Sequence, residues 1–408
     1  MTAHDSKSLI VIGGGAAGFF CAVNAARMGA RVTLLEKTGK LLSKVRVSGG
    51  GRCNVTHQLF EVSEFSRRYP RGQNFLKKTL HHFDAAATIR WFEERGVDLK
   101  AEADGRMFPV TDSSETVIAC LLREAARYGV EIRMNAEVKS LLHVESGFRL
   151  ELADGRPLEA DAVCVAAGGY PKAAQFAWLQ ALGHSIAEPL PSLFTFNLPK
   201  HPITELMGVS TTARVKIEGS KLSEEGPVLI THWGLSGPAV LRLSAWGARE
   251  LAQGQYNFRV HVHWAPQHTE ADLKAAITDA RRQHPQKKVH NQNLAELPAR
   301  LWQFLLRQSG IGEEQRFADL PAKAENALIR HISDSVFEVK GKTTFKEEFV
   351  TAGGIQLSEI DANTMMSRKV PGLYFAGEVM DVDGITGGFN FQHAWTSGWI
   401  AAKAIAGT

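Results

Sequence analysis

The stretch SLIVIGGGAAGFFCAVNAARMGARVTLLEK, residues 8–37, decides the fold. Leu9 to Ile12 form a continuous apolar run, the pattern of a parallel strand buried on both faces. Gly13, Gly15 and Gly18 follow at GxGxxG spacing, Ala22 is small one turn later, the helix runs to Gly29, and Val32 to Leu35 begin a second strand. Each glycine has its own duty: Gly13 turns the chain, Gly15 lets the backbone approach a pyrophosphate, and Gly18 lets helix and sheet pack closely. Amides at the helix N-terminus, together carrying roughly half an elementary positive charge, then face the phosphates. Glu36 ends the second strand, where a carboxylate accepts both hydroxyl protons of an adenosine ribose and disfavours a 2′-phosphate. Strand, glycine turn, helix, strand and acid together predict a dinucleotide site and not a mere turn; which dinucleotide stays open at this point.

The far end of the chain narrows the choice. Residues 371–400 read PGLYFAGEVMDVDGITGGFNFQHAWTSGWI. Leu373 to Ala376 form a short buried strand closed by Gly377 and Glu378, Gly387 and Gly388 make another tight loop, and a helix starts near Asn390 and runs towards Ala406. A second strand, loop and helix unit predicts one extended ligand held from both ends, which suits FAD better than NAD. Glu378 then accepts a hydrogen bond from the ribityl chain, the alternative being a helix cap or a surface charge. The amides of Gly388, Phe389, Asn390 and Phe391 face the flavin C2 carbonyl and stabilise the anionic reduced ring. Charge-assisted bonds of this kind contribute about 1.5–3 kcal/mol each.

Composition sets the outer limits. The 408 residues allow two or three domains, and a net charge of +4 with a pI of about 8.8 is not that of a dedicated nucleic-acid coat protein. Cys21, Cys53, Cys120 and Cys164 are scattered with no CxxC spacing, so a reduced, cytoplasmic setting without a dithiol relay is expected. MTAHDSK leads straight into the first strand with no cleavable leader, and no apolar run approaches a membrane span, so a soluble protein that does not engage membranes is expected. The pattern fixes no oligomeric state; a monomer suffices.

The motifs GGGAAG (13–18), SGGGRCNVTH (48–57), LITHWGLSGPAVL (229–241), TAGG (351–354) and GLYFAGEVMDVDGITGGFNFQHAW (372–395) occur in this order. In them the chain, over essentially its whole length, resembles the BaiN/RdsA-type (HI0933-like) bacterial FAD-dependent oxidoreductases. The resemblance implies an α/β fold: a Rossmann-like, glutathione-reductase-type FAD-binding domain with an inserted β-barrel and a small helical subdomain. It implies a cofactor set of Gly13, Gly15, Ala16, Ala17, Gly18, Glu36, Lys37, Lys44, Val138, Ala167, Gly168, Gly169, Gly377, Glu378, Gly387, Gly388, Phe389, Asn390 and Phe391. It also places VSGGGRCN beside FAD, so that Ser48, Gly49, Gly50, Gly51, Arg52, Cys53 and Asn54 line the cofactor. Stripped side chains let backbone amides touch it, and Arg52 is expected to neutralise phosphate charge. Cys53 reads as a small buried packing residue in preference to a reactive thiol. Val138, in the pair Glu137-Val138, is expected to hold adenine through its backbone. The chain departs from the pattern at AAGG (166–169), where ATGG is usual and YPKAAQF follows, and at Ser43 and His57.

Between the ends, Asp84–Arg95 and Ser113–Tyr128 have helical periodicity, the second started by Asp112 with Glu115 three residues on and stopped by Gly129. Hairpin turns are expected at Asp104-Gly105 and Asp154-Gly155. The expected organisation is 1–188 and 347–408 for the two parts of the FAD domain, 189–266 for the barrel, 267–333 for the helical insert and 334–346 for a return through the barrel. TARVKIEG and YNFRVHVHW supply barrel strands; ADLKAAITDARRQ, AELPARLWQFLLRQ and AKAENALIRHI supply helices. The resemblance brings His232 near the isoalloxazine, where two readings stand: a proton donor or substrate anchor, or a histidine that fixes its loop. The basic run RRQHPQKKVHNQN (281–293) reads as a solvated helix end before a phosphate contact, and His261 and His263 find no further ligands for a metal.

Reduced flavin delivers hydride from N5 to an electron-poor carbon. The expectation is an FAD-dependent reductase of a conjugated C=C bond, in a small molecule or as the 5,6 bond of uridine in ribosomal RNA. With no second GxGxxG unit, NADH or NADPH docks transiently if it is the reductant. The alternatives are an oxidase of a small amine or amino-ketone and a non-catalytic flavin-binding redox sensor.

Overall fold

The apolar run after Lys7 becomes the middle strand of a parallel sheet. In the computed structural model, which describes residues 6–343 and 350–407, β1 (Ser8–Ile12) lies between β2 (Arg31–Leu35) and β4 (Ala162–Val165). β3 (Glu131–Arg133) continues the sheet beyond β2, and β5 (Leu373–Phe375) continues it beyond β4; each pairing is parallel. The order β5-β4-β1-β2-β3 therefore reverses direction between β1 and β4, and the crevice outside the carboxyl ends of strands at such a reversal is where ligands bind in this class of sheet. Asp161 ties the start of β1 to that of β4, accepting from the Ser8 amide and hydroxyl, each at 2.6 Å.

Three helices frame the carboxyl ends: α1 (Ala16–Arg27), α2 (Ser43–Gly51) and α3 (Phe389–Ala406). α1 and α3 meet at a glycine, because a Cβ at Gly398 would sit 2.7 Å from the Ala17 carbonyl oxygen. Phe20 of α1 packs among Phe83, Trp91 and Trp395, which sets the remaining α1 face in a dry core.

The described residues of Met1–Ser192 and Phe345–Thr408 form one compact unit, and those of Leu193–Thr344 form a second. The first unit runs on to Ser192 and does not stop at 188, because the strand Ile186–Pro191 pairs antiparallel with Thr351–Ile355 in the same unit. Residues 344–349, where the expected barrel return ends and the C-terminal part begins, lie outside the described residues. The second unit holds a seven-stranded antiparallel sheet whose two outermost strands, Ser335–Lys340 and Lys342–Thr343, are separated in the chain by Gly341 alone. One residue thus joins the two edges, and the sheet curls into a barrel. Its helices Glu270–Gln283, Ala299–Gln308 and Ala322–Ser333 bury Leu273, Ile277, Trp302, Leu305 and Leu328 in a core shared with Val260, Val262 and Trp264.

One capping expectation is corrected. The helix Ser114–Arg127 is capped by Ser113, whose hydroxyl accepts from the Glu115 amide at 3.3 Å, and not by Asp112. Asp112 sits at φ 51° with its carboxylate drawn to Lys100 and Arg52, and Glu115 pairs with Arg46 in place of closing a capping box. Asp84 does cap Ala85–Glu93, accepting from the Ala87 amide at 2.7 Å.

Candidate functional site

The glycine clusters gather at the carboxyl ends of the parallel strands. Gly13 follows β1, Glu36 follows β2, Ala167, Gly168 and Gly169 follow β4, and Gly377 and Glu378 follow β5. Gly13 has φ 117°, and a Cβ there would lie 2.3 Å from the Ala166 carbonyl oxygen; at Gly18 it would lie 1.9 Å from the Gly13 carbonyl oxygen. Those two glycines serve close packing. Gly15, the residue before α1, has nothing within 4 Å of its absent Cβ, which leaves an open approach to the α1 amides. Ala16 and Ala17 form the first turn, with Ala17 buried against Gly377 and Gly398.

Both oxygens of Glu36 are oriented. Oε2 accepts from the Gly14 amide at 2.9 Å, and Oε1 accepts from the Thr38 amide at 2.9 Å and hydroxyl at 2.8 Å. A carboxylate oxygen has further lone pairs, so the pair can still receive diol protons. Lys37 is exposed, 5.8 Å from the Tyr170 ring, and Val138 opens the strand Val138–Val144.

The run SGGGRCN breaks α2. Ser48 has ψ 148°, and Gly49, Gly50 and Gly51 follow with φ 59°, 70° and 85°, three left-handed residues in succession. Only glycine adopts such a run without strain, and next to Gly50 and Gly51 the Cβ positions are open. The Cys53 amide donates to Ser48 O at 3.0 Å, and burial pushes the Cys53 thiol up to about 12, which keeps it a neutral packing group. In the orientation that satisfies both its amide atoms, Asn54 donates to Thr56 O and accepts from the Gly388 amide at 3.0 Å.

That contact joins the run to α3. His57 Nδ1 lies 3.1 Å from Gly387 O and its ring stacks on Phe389 at 4.9 Å; Trp395 Nε1 donates to Val55 O at 2.9 Å; Thr56 donates to Gln392 at 2.7 Å. Asn390 braces the preceding loop through two bonds to the Gly384 backbone, and Phe391 stacks on Trp395. The Gly388 amide is thus engaged by Asn54, while Phe389, Asn390 and Phe391 precede the first intrahelical bond, from the Gln392 amide to Gly388 O.

Within the chain Arg52 pairs with carboxylates and an aromatic ring. Its guanidinium lies 4.0 Å over the Phe108 ring, 2.6 Å from Glu102 and 3.6 Å from Asp112, and the hydrogen bond to Glu102 raises its pKa. Lys44 reaches across to Glu378, 2.5 Å from Oε2, and the other Glu378 oxygen accepts from the Thr351 amide at 2.8 Å. Glu378 is therefore neither a helix cap nor a free surface charge.

Thr351 and His393 were not among the expected site residues. Thr351 Oγ1 and His393 Nδ1 are buried without a hydrogen-bond partner among the described residues, and a Cβ at Gly169 would lie 2.4 Å from that Thr351 oxygen. TAGG and FQHAW were conspicuous as motifs, but nothing in spacing told that Thr351 would meet Glu378. Unpartnered buried polar atoms are rare, and one beside Glu378 at the carboxyl ends of the parallel strands fits a polar ligand that completes the bonding. His232 belongs to the second unit, exposed in the turn between Ser223–Thr231 and Gly234–Ser236, with its ring edge on Trp233 at 4.2 Å.

The chain is similar over nearly its whole length to known proteins. A ribosomal RNA dihydrouridine synthase of Escherichia coli (strain K12) is 33% identical over 407 residues, covering 97% of each chain. A 3-dehydro-bile acid delta(4,6)-reductase of Clostridium scindens is 31% identical, covering 97% of this chain and 98% of its own. The crystal structure of a 3-ketosteroid-delta4-(5alpha)-dehydrogenase from Rhodococcus jostii RHA1 superposes with a TM-score of 0.51 at 14% identity, covering 98% of both chains, a likeness of fold. Residues 7–404 match the HI0933-like protein Rossmann domain, and the chain belongs to that HI0933-like family.

Proposed function

We propose that this protein is an FAD-dependent oxidoreductase that reduces a conjugated C=C bond. The observation that carries the reading is the convergence, at the carboxyl ends of one parallel sheet, of an open glycine turn, an oriented diol-accepting carboxylate and the first turn of α3. Two relatives similar over their full length are named for products or bonds of this kind, a dihydrouridine and a delta(4,6) diene.

The α1 amides beyond Gly15 would receive the pyrophosphate, and Glu36 would receive the adenosine ribose hydroxyls. Glu378, held by Lys44 and the Thr351 amide, would accept from the ribityl chain. The amides of Phe389 to Phe391 would present the positive end of α3 to the ring. When bound, reduced flavin supplies a hydride from N5. The accompanying proton needs a donor, and His232 is the residue put forward, with NADH or NADPH as the transient reductant.

A second reading, that the substrate is ribosomal RNA, is favoured by the full-length similarity to the E. coli dihydrouridine synthase. The deciding experiment is anaerobic stopped-flow reduction of the purified protein with NADPH and NADH, followed by mixing with an enone, an rRNA transcript or oxygen. Fast reoxidation by enone or transcript supports reduction of C=C; rapid peroxide formation with oxygen alone replaces it with an oxidase. Protein that neither carries nor acquires FAD defeats the whole reading. Mass spectrometry of rRNA from a deletion strain separates the two substrates, since unchanged dihydrouridine content removes RNA.

A further inference from the structure

The dinucleotide unit has a second concavity, with a volume of about 640 Å³, and none of its lining residues belongs to the expected cofactor set. Its volume falls within the roughly 300–1,000 Å³ typical of small-molecule sites. One wall is the helix Gln73–Thr79, with Asn74 and Lys78; the other is the segment 357–368, with Ser358 and Arg368. Half-buried Leu357 supplies apolar surface between them, with Phe75 and Ile360 packed almost fully buried behind it, and no acidic residue lines the cavity. Asp361 stands 3.9 Å from Arg368, but its Oδ1 already accepts from the amide and side chain of Asn363 at 3.0 and 3.2 Å.

The second wall is fixed from beneath by a buried polar network. Glu359, between two lining residues, accepts from Lys369 at 2.6 Å and from the Ser185 amide at 3.0 Å, and its carboxylate lies 2.9 Å from His184 Nδ1. His184 Nε2 in turn meets the hydroxyl of Ser367, next to Arg368, at 3.0 Å. Burial raises the Glu359 carboxyl, but hydrogen bonds led by Lys369 and Ser185 outweigh it and hold the group down at about 2. A buried carboxylate is costly unless paired in this way, so the network specifies one wall geometry. A wall that is already ordered loses less entropy when a ligand binds.

We propose that this pocket binds a nucleotide-like phosphate ester, with its phosphate charge met by Lys78 and Arg368 and its flat apolar part against Leu357 and the exposed edge of Phe75. Two cations without lining carboxylates select an anion, and the apolar surface between them selects an organic anion over inorganic phosphate. The ligand is a free mononucleotide or the nucleotide end of a larger coenzyme. The site is independent of the flavin reading.

The test is isothermal titration of the protein, saturated with FAD, with adenosine 5′-monophosphate, adenosine and inorganic phosphate. The expected result is AMP binding with a Kd at or below about 1 mM, with adenosine and phosphate each about ten-fold weaker or more. Lys78→Glu and Arg368→Glu each weaken AMP by about ten-fold, and Ser358→Trp blocks it sterically. All three positions are exposed, so melting temperatures should stay near the parent value. Displacement of AMP by NADPH assigns the pocket to a dinucleotide, and lack of displacement assigns it to a mononucleotide; either upholds the proposal. It is overturned if the parent protein binds no AMP up to about 10 mM, or if all three variants bind it as the parent does.

Discussion

Two glycines of the first turn differ in what lies beside their missing Cβ, and that difference separates binding from stability. At Gly15 the backbone has φ −92° and ψ −170°, ordinary for any residue, with nothing within 4 Å. Gly15→Ala should therefore leave the melting of coenzyme-free protein within about 0.5 kcal/mol of the parent, while weakening FAD retention by roughly ten-fold or more. Full occupancy by FAD in that variant would remove Gly15 from the pyrophosphate contact. At Gly18 a Cβ would lie 1.9 Å from a backbone oxygen, so Gly18→Ala must separate helix from turn and should cost about 1–3 kcal/mol before any ligand is added. The roles of these glycines were legible because GxGxxG fixes local geometry. The partners of Arg52 within the chain were not, because Glu102 and Asp112 come from a separate hairpin and the turn after it, whose approach no local spacing encodes.

Helix starts show the same division at the next scale. Asp84 precedes Ala85–Glu93 and caps it, as the sequence pattern predicts, whereas Asp112 is turned away from Ser114–Arg127 by Lys100 and Arg52. Asp84→Ala should thus destabilise by about 1 kcal/mol, and Asp112→Ala by less, since its ion pairs are exposed. Chemical denaturation of the two variants tests this; equal losses would mean that Asp112 contributes to the helix after all. The parallel strands, the barrel and the long helices were readable from apolar period and turn residues. The loop SGGGRCN was readable as a loop, but its continuation of α2 into three left-handed glycines depends on docking to Phe108 and α3. The expected boundary after residue 188 falls inside Ile186–Pro191, because the texture of the sequence changes at Pro189; pairing with Thr351–Ile355 tolerates Pro189 and Pro191 through a register shift and carries the strand on within the first unit.

Across the whole molecule, contacts between distant residues add a dependence on pH that no segment shows alone. Asp383 is fully buried against Arg71 and Ser192, three residues brought together from across the first unit. Asp383→Ala would leave Arg71 without this counter-charge and should cost about 3–5 kcal/mol. His393 is buried in α3 with Nε2 3.2 Å from Gly377 O and Nδ1 unpartnered, and burial lowers its pKa from 6.5 to about 4. The unfolded chain therefore takes up a proton below about 6.5 that the fold refuses, so this contribution is complete above that pH and is lost as pH falls towards 4. The loss amounts to about 3 kcal/mol at about 1.4 kcal/mol per unit. His57 and His184, lowered chiefly by burial, act in the same direction. Glu359 adds a loss as pH falls from 4.5 towards 2, whereas Asp383, raised by burial, opposes it by accepting a proton in the fold. His393→Gln keeps a donor towards Gly377 O without a titratable ring. Its stability between pH 7 and 5 should fall less steeply than that of the parent, by up to about 1.4 kcal/mol per pH unit. Parallel curves from thermal melts at pH 5, 6 and 7 would show that the folded protein protonates His393 as readily as the unfolded chain, and the neutral buried imidazole at the start of α3 would have to be given up.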